Sequence, residues 1–335
     1  MMKKIGINGL GRIGRLVLRH YMANPSNDVD IMAANDLTPI DDLSYLIRFD
    51  SVHGKVPHDI SFGSDCIQLG SKKIKIFNEK DPTKLPWKNL GVDIVLECTG
   101  LFRKKEDATK HISAGASKVI ISAPSESADL TIVQGVNEDL YNPKIHHVIS
   151  NASCTTNSLA PAVKVLNDSF GIEHLLVTTV HAYTASQGLV DRSARKLRRG
   201  RAAAVSLIPT STGAAKATGI VLPKLKDKMD ALAIRVPVPD GAITDIVAEL
   251  KSNVTVEQVN EAFRIASMSE LKGILGYSED ELVSADIIGD THSGIVDGTS
   301  TKVVDNKMVK VLVWYDNEFG YAKKLLELAE YISKK

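Results

Sequence analysis

Cysteine is scarce in this chain, with three among 335 residues: Cys66, Cys98 and Cys154. An odd, sparse set makes no disulfide framework and reads as reduced thiols in a cytoplasm. One of the three could be reactive, and composition does not say which. Long apolar runs are missing too. None approaches the roughly 20 residues that span a bilayer, so no membrane role is expected. The first strand begins near Lys3, which leaves no room for a signal peptide. An excess of one charge is also absent. Forty-one Lys and Arg against 40 Asp and Glu leave a formal net charge of +1, too weak a field to make nucleic acid or a membrane the main partner. No internal repeat or low-complexity linker is visible, and no metal site is expected. The residues that are present, 44% hydrophobic and 24% charged, are ordinary for a soluble globular protein. At this length one compact core seldom suffices, so two domains are expected.

The first half reads as strands alternating with helices. Lys3–Asn8, Val29–Ala34, Val92–Glu97, Lys118–Ser122 and His147–Ser150 are short, apolar or β-branched, and bounded by turns. Arg15–Met22 and Lys104–Ser113 have helical spacing. The alternation predicts a mostly parallel sheet covered on both faces. The second half carries longer, alternating strands at Leu175–Tyr183, Ala231–Val236, Ala242–Leu250 and Lys307–Tyr315. These predict a largely antiparallel sheet with helices on one face. Asn317–Ile332 reads as a closing amphipathic helix. Arg192–Arg201 holds six basic residues in ten without an apolar period, and reads as a long ordered loop.

Gly9-Leu10-Gly11-Arg12-Ile13-Gly14 is a Gly-x-Gly-x-x-Gly between a predicted strand and a predicted helix. The first glycine makes the turn, the second lets backbone approach a pyrophosphate, and the third lets helix and strand pack. The helix start then offers free N–H groups and a positive dipole end. Asp36 ends the next strand, where an acid can accept from an adenine-ribose diol. A structural turn with a surface aspartate is the bland alternative. The paired context favours a Rossmann-type dinucleotide site.

Asn151-Ala152-Ser153-Cys154-Thr155-Thr156-Asn157 follows the strand at His147–Ser150. Helix starts near Thr155, with Ser153 as its cap. A cysteine at a helix start has a lowered pKa, which prepares a nucleophile. Cys98, after an apolar strand, and Cys66, in a loop, fit the commoner fate of a small buried residue. His181 lies in the strand Leu175–Tyr183. A base meets its nucleophile in space rather than in sequence, so a Cys–His pair is permitted and not proved.

With these residues read, the whole chain resembles the phosphorylating glyceraldehyde-3-phosphate dehydrogenases. The resemblance rests on Gly6 through Arg15, Asn35-Asp36, Asp50-Ser51-Val52-His53-Gly54, Cys98-Thr99-Gly100, Ile121-Ser122-Ala123-Pro124, Ser150 through Asn157, Thr178-Thr179-Val180-His181, Arg198 through Lys216, and Trp314-Tyr315-Asp316-Asn317-Glu318. It implies an α/β fold: a Rossmann-type domain over 1–153, completed by the helix 317–335, and an α+β catalytic domain over 154–316. It implies a Cys154 thioester with His181 as thiolate partner and base. Substrate phosphate would be held by Thr184 and Arg235. Attacking inorganic phosphate would be held by Ser153, Thr155, Arg199, Thr212 and Gly213. Cofactor contacts would be Gly9, Gly11, Arg12, Ile13, Gly14, Asp36, Lys80, Ser122 and Asn317. It also implies a homotetramer in which the basic loop reaches the adenosine site of an adjacent subunit.

The chain departs from the family's pattern in three places. Ala185-Ser186-Gln187 replaces the usual Asn-Asp-Gln, Ser158 stands where a second cysteine is common, and Pro237 through Ala242 differs from the common segment. A sister activity, erythrose-4-phosphate dehydrogenase, shares the cysteine block. It is disfavoured because Thr210 through Lys216 keeps the attacking-phosphate loop. A nucleic-acid or cell-surface role for the basic loop is disfavoured by the near-neutral charge. Asp36 and Leu37 favour NAD, since a carboxylate repels a 2′-phosphate. Arg192-Ser193 could donate to one, so NADP is expected to be tolerated.

Overall fold

The computed structural model describes residues 2–57, 60–69 and 72–335. The chain divides into two compact units, one of residues 1–132, 139–152 and 322–335, the other of residues 133–138 and 153–321. Among the described residues no helix is long and apolar enough to cross a membrane.

The first unit is built on a nine-stranded sheet. Its spatial order is Leu130–Thr131, Val148–Ser150, Lys118–Ile121, Ile94–Glu97, Lys3–Asn8, Val29–Asn35, Lys72–Phe77, Cys66–Leu69 and Ile60–Phe62. The first seven run parallel. Their short apolar sequences fit strands buried on both faces: all four residues of Ile94–Glu97 are buried, and Ile5 and Ile7 are 0% exposed. Cys66–Leu69 and Ile60–Phe62 add an antiparallel edge that the sequence pattern does not announce. Cys66 therefore lies in a strand, buried, rather than in a loop. The first helix runs Arg12–Ala23, three residues ahead of its apolar period, because the backbone turns helical directly behind Gly11.

The second unit holds a seven-stranded sheet in the order Ile208–Ser211, Met229–Val236, Ile172–Ala182, Ala242–Leu250, Met308–Tyr315, Gly294–Val304 and Leu275–Ser278. Pairing is antiparallel except where Ile172–Ala182 meets Met229–Val236 and where Leu275–Ser278 meets Gly294–Val304. Cys154–Phe170 and Val256–Met268 pack into this unit's core, with Leu159, Val163 and Phe263 against Val177, Ile246 and Val311. The opposite face of Ile172–Ala182 leaves Leu176 exposed. Ser153 caps Cys154–Phe170, its hydroxyl accepting from the Thr156 N–H. This helix start and the end of Ile172–Ala182 bring the chemistry of the second unit together.

Candidate active site

Cys154 is the first residue of its helix. Its Sγ lies 3.5 Å from His181 Nε2, so the pair that sequence only permitted is assembled. His181 is buried near the end of its strand, where its ring is set by two contacts. Nδ1 lies 2.7 Å from the Ala182 carbonyl oxygen and 2.7 Å from Arg235 Nη1. Arg235 comes from the neighbouring parallel strand, in register with His181. Its Nη1 also donates to the Ala182 carbonyl at 2.8 Å. Its Nε is buried with no hydrogen-bond partner among the described residues. An unsatisfied guanidinium donor beside a thiol fits an anionic ligand.

The electrostatics are those of a desolvated pocket. Burial, then the Arg235 charge, lowers His181 to about 3. Burial pushes the Cys154 thiol up to about 11, against the opposing pull of Arg235 and the hydrogen bonds of Thr155. The expected acidified cysteine is thus a thiol facing a neutral imidazole, and the cation beside both is Arg235. The reason is desolvation, which outweighs the helix start when no anion or polar ligand solvates the pocket.

Tyr315 completes this wall, and sequence reasoning gave it no role. Its hydroxyl sits 2.9 Å from Thr155 Oγ1 and 2.7 Å from Thr179 Oγ1, and its ring stands edge-on to His181 at 6.0 Å. Thr155 is correspondingly buried, so its hydroxyl supports the nucleophile's surroundings. Arg199 donates to Thr210 Oγ1 at 2.9 Å and to the Ser211 carbonyl at 3.1 Å, and its charge is felt at both His181 and Arg235. Thr212 Oγ1 accepts from the Ala214 N–H at 3.2 Å. Gly213 precedes the helix Ala214–Val221 with open space where a Cβ would stand. Thr184 Oγ1 pairs with Ser186 Oγ at 2.9 Å, so the substituted serine binds its neighbour directly. The basic run is a loop closed by a short 3-10 turn at Leu197–Gly200.

In the first unit a cavity of about 510 Å³ is lined by Gly9, Gly11, Asp36 and Lys80 together with Asn8, Asn35, Glu79, Thr99 and Phe102, among others. The glycines divide their work as the motif requires. Gly9 has φ +97° and a Cβ there would lie 2.7 Å from the Thr99 nitrogen. A Cβ on Gly14 would lie 2.0 Å from the Gly9 oxygen. Gly11 meets nothing within 4 Å, leaving its approach open. No side chain caps the helix behind it and no acid occupies its first turn, so its N–H groups fit a pyrophosphate. Asp36 Oδ2 accepts from the Leu10 N–H at 2.6 Å, tying the acid into the glycine turn. Arg12 is paired with Asp50, so its side chain is already engaged. Ile13 lies inside the helix. Ser122 follows its strand and bonds the Cys98 thiol. Asn317, in the second unit, has its N–H on Asp240 Oδ1 at 3.2 Å, while its Oδ1 is buried without a partner among the described residues. That orphaned acceptor fits a carboxamide N–H.

Residues 3–105 match the NAD binding domain of glyceraldehyde 3-phosphate dehydrogenase, and residues 153–317 match its C-terminal domain. The chain belongs to the glyceraldehyde-3-phosphate dehydrogenase family. It is 54% identical over 335 residues to the glyceraldehyde-3-phosphate dehydrogenase of Geobacillus stearothermophilus, covering 100% of this chain and 99% of the relative. It is 52% identical to glyceraldehyde-3-phosphate dehydrogenase 1 of Bacillus subtilis strain 168 at the same coverage. It is 51% identical to the Streptomyces coelicolor enzyme over 98% of both chains. Membership of this family accounts for the two-unit α/β architecture, and both units hold residues that the family resemblance assigned.

Proposed function

We propose that this chain oxidises glyceraldehyde 3-phosphate to 1,3-bisphosphoglycerate with reduction of NAD, through a thioester on Cys154. The observation that carries this is the Cys154 Sγ–His181 Nε2 contact of 3.5 Å at a capped helix start, beside the unsatisfied Nε of Arg235. Thr184 and Arg235 are proposed to hold the substrate phosphate. An anion there offsets the Arg235 charge that depresses His181, so substrate binding itself readies the base. The Cys154 sulfur then bonds the aldehyde carbon, its proton passing to His181 Nε2. Receiving that proton needs a bare Nε2 and hence the Nδ1–H tautomer donating to the Ala182 carbonyl, with Arg235 Nη1 drawn off Nδ1 toward the substrate phosphate. The Cys154 backbone N–H, at the helix start, is proposed to hold the oxyanion.

His181 returns that proton to the oxyanion, giving the hydroxyl, and in the next step takes it back while hydride leaves the same carbon, so that the product on Cys154 is a thioester. NAD, when bound, supplies the hydride acceptor. Gly9, Gly11, Arg12, Ile13, Gly14, Asp36, Lys80 and Ser122 are proposed to hold it in the first unit, and Asn317 to bond its carboxamide. Inorganic phosphate, held by Ser153, Thr155, Arg199, Thr212 and Gly213, attacks the thioester carbon and expels the Cys154 thiolate. Asp36 favours NAD, and Arg192, whose guanidinium donates to the Ser186 carbonyl at 3.4 Å, supplies with Ser193 the donors that let NADP be tolerated. We also propose a homotetramer in the cytoplasm, a setting that fits three free thiols.

Absorbance at 340 nm tests the reading directly. With glyceraldehyde 3-phosphate and NAD, sustained turnover should require inorganic phosphate, and erythrose 4-phosphate should be much slower. Turnover indifferent to phosphate, or faster with erythrose 4-phosphate, would overturn it.

A further inference from the structure

Beneath the dinucleotide cavity lie two ionisable side chains that the chemistry does not use. Glu97, the last residue of strand Ile94–Glu97, and His111, on helix Lys105–Ser113, both have side chains 0% exposed. A buried carboxylate without a cation must be held by hydrogen-bond donors. Glu97 has four. Oε1 accepts from the Thr99 N–H at 2.8 Å and from the Thr99 hydroxyl, while Oε2 accepts from Asn8 Nδ2 at 2.6 Å and faces His111 Nε2 at 3.1 Å.

The histidine's tautomer follows from its other nitrogen. Trp87 Nε1 lies 3.0 Å from His111 Nδ1, and an indole N–H can only donate. Nδ1 is therefore bare, and the ring proton sits on Nε2, directed at Glu97 Oε2. Trp87 is itself 0% exposed. Fixing a histidine by what its second nitrogen accepts is how buried networks set orientation.

From Glu97 the bonds reach both walls of the cavity. On one side Thr99 Oγ1, held by Glu97, accepts from the Leu101 N–H at 3.0 Å. On the other, Asn8 Oδ1 accepts from Asn35 Nδ2 at 2.8 Å, Asn35 Nδ2 also donates to the Glu79 carbonyl at 2.9 Å, and Asn35 Oδ1 accepts from the Glu79 N–H at 2.8 Å. Asn8, Asn35, Glu79, Thr99 and Leu101 all line the cavity. The Gly9 turn packs directly on the Cys98–Thr99 backbone that Glu97 tethers.

We propose that His111, locked by Trp87, is a positioning residue that orders both walls of the dinucleotide cavity through the Glu97 carboxylate. The proposal deepens the cofactor reading and rests on it. His111 touches no ligand, so its effect belongs in dinucleotide affinity and not in the thioester chemistry.

The test is calorimetric titration of the full-length protein with NAD, in wild type, His111→Leu and His111→Gln. Leu fills the space but takes the Nε2–H from Glu97 and the acceptor from Trp87. Gln can supply both. Leu should weaken NAD binding about tenfold, the scale of one unsatisfied buried group, with KM for glyceraldehyde 3-phosphate and kcat at saturating NAD held within twofold. Gln should restore wild-type affinity. If the leucine variant does not fold, Trp87→Phe, which removes the indole donor that fixes His111 at a position that does not line the cavity, carries the same expectation. NAD affinity unchanged in the leucine or phenylalanine variant, or a glutamine variant as weak as the leucine one, overturns the proposal. Absence of NAD binding by wild type would instead remove the cofactor reading on which it rests.

Discussion

At the scale of single residues, the assignment of charge in the site of the second unit decides what each variant should do. Cys154 is pushed up to about 11 and His181 down to about 3, burial being the largest cause of each. Arg235 acts on both, lowering the two together. Removing its charge by Arg235→Leu therefore raises both groups. A higher cysteine value means less thiolate at any pH below it, so iodoacetamide labelling of Cys154 at pH 8 should slow about tenfold, the effect of one lost close cation. A neutral His181 contributes no such charge, so His181→Asn should slow labelling less. Mass-spectrometric labelling rates across pH 6–10 check this. A larger shift from His181→Asn than from Arg235→Leu would show that the resting site is an ion pair after all. Sequence reasoning singled out Cys154 and His181 but gave Arg235, whose charge acts on both, only a substrate-phosphate role. Helix-start acidification is local and readable, whereas desolvation is a sum over everything packed around the thiol. Tyr315 escaped for a related reason. Its block was recognised, yet only the fold sets its hydroxyl between Thr155 and Thr179.

At the scale of elements, the glycine turn is where sequence and structure agree most closely, and it carries a sharp expectation. A Cβ on Gly14 would stand 2.0 Å from the Gly9 oxygen and 3.4 Å from Ile7 Cγ2. Neither atom is the free end of a flexible side chain, so Gly14→Ala must pry the helix Arg12–Ala23 off the strand Lys3–Asn8. A cost of about 1–3 kcal/mol is expected for overpacking of this kind, with NAD affinity falling more than stability because the displaced helix start is the pyrophosphate cradle. Denaturant unfolding and NAD titration check it, and a variant with wild-type affinity would mean the cradle lies elsewhere. Gly11→Ala meets no protein atom, so any loss there reports ligand contact alone. The elements that the sequence hid are those where a period is interrupted. Gly294–Val304 shifts register between Asp297 and Lys302, around an aspartate that accepts from the Thr299 hydroxyl and the Ser300 N–H, so no alternation survives to be read. Val256–Met268 also went unread, although it opens on a capping box, Thr255 with Gln258, a start signal written in the residue types themselves. The antiparallel edge Ile60–Phe62 and Cys66–Leu69 is too short and polar for its pattern to stand out.

At the scale of the whole molecule, the question is what the chain's exposed apolar surface is for. Leu197 is 86% exposed, Val205 80%, Leu189 79%, Val190 71% and Leu207 70%, and all five belong to the loop that follows strand Ile172–Ala182 and leads to strand Ile208–Ser211. Single exposed apolar side chains are ordinary, but five along one loop are apolar surface that a lone copy would leave wet. The basic residues among them do not cover this surface, since Arg201 pairs with Asp191 at 2.8 Å and Arg199 donates to Thr210 and Ser211. A like copy of the chain is the partner that the proposed homotetramer offers. Burying one Leu or Val side chain contributes about 1.5–3 kcal/mol, and a symmetric assembly repeats that gain at each equivalent contact. Leu197→Asp with Val205→Asp should therefore move sedimentation toward smaller species at micromolar concentration, leave far-ultraviolet circular dichroism unchanged, and make the thermal midpoint depend more steeply on protein concentration. Both side chains are already exposed within one copy, so the fold of each unit has no reason to change. Sedimentation of the double variant indistinguishable from wild type would place the subunit contact on another face, and a wild type that sediments as a single copy would leave the patch without its proposed partner.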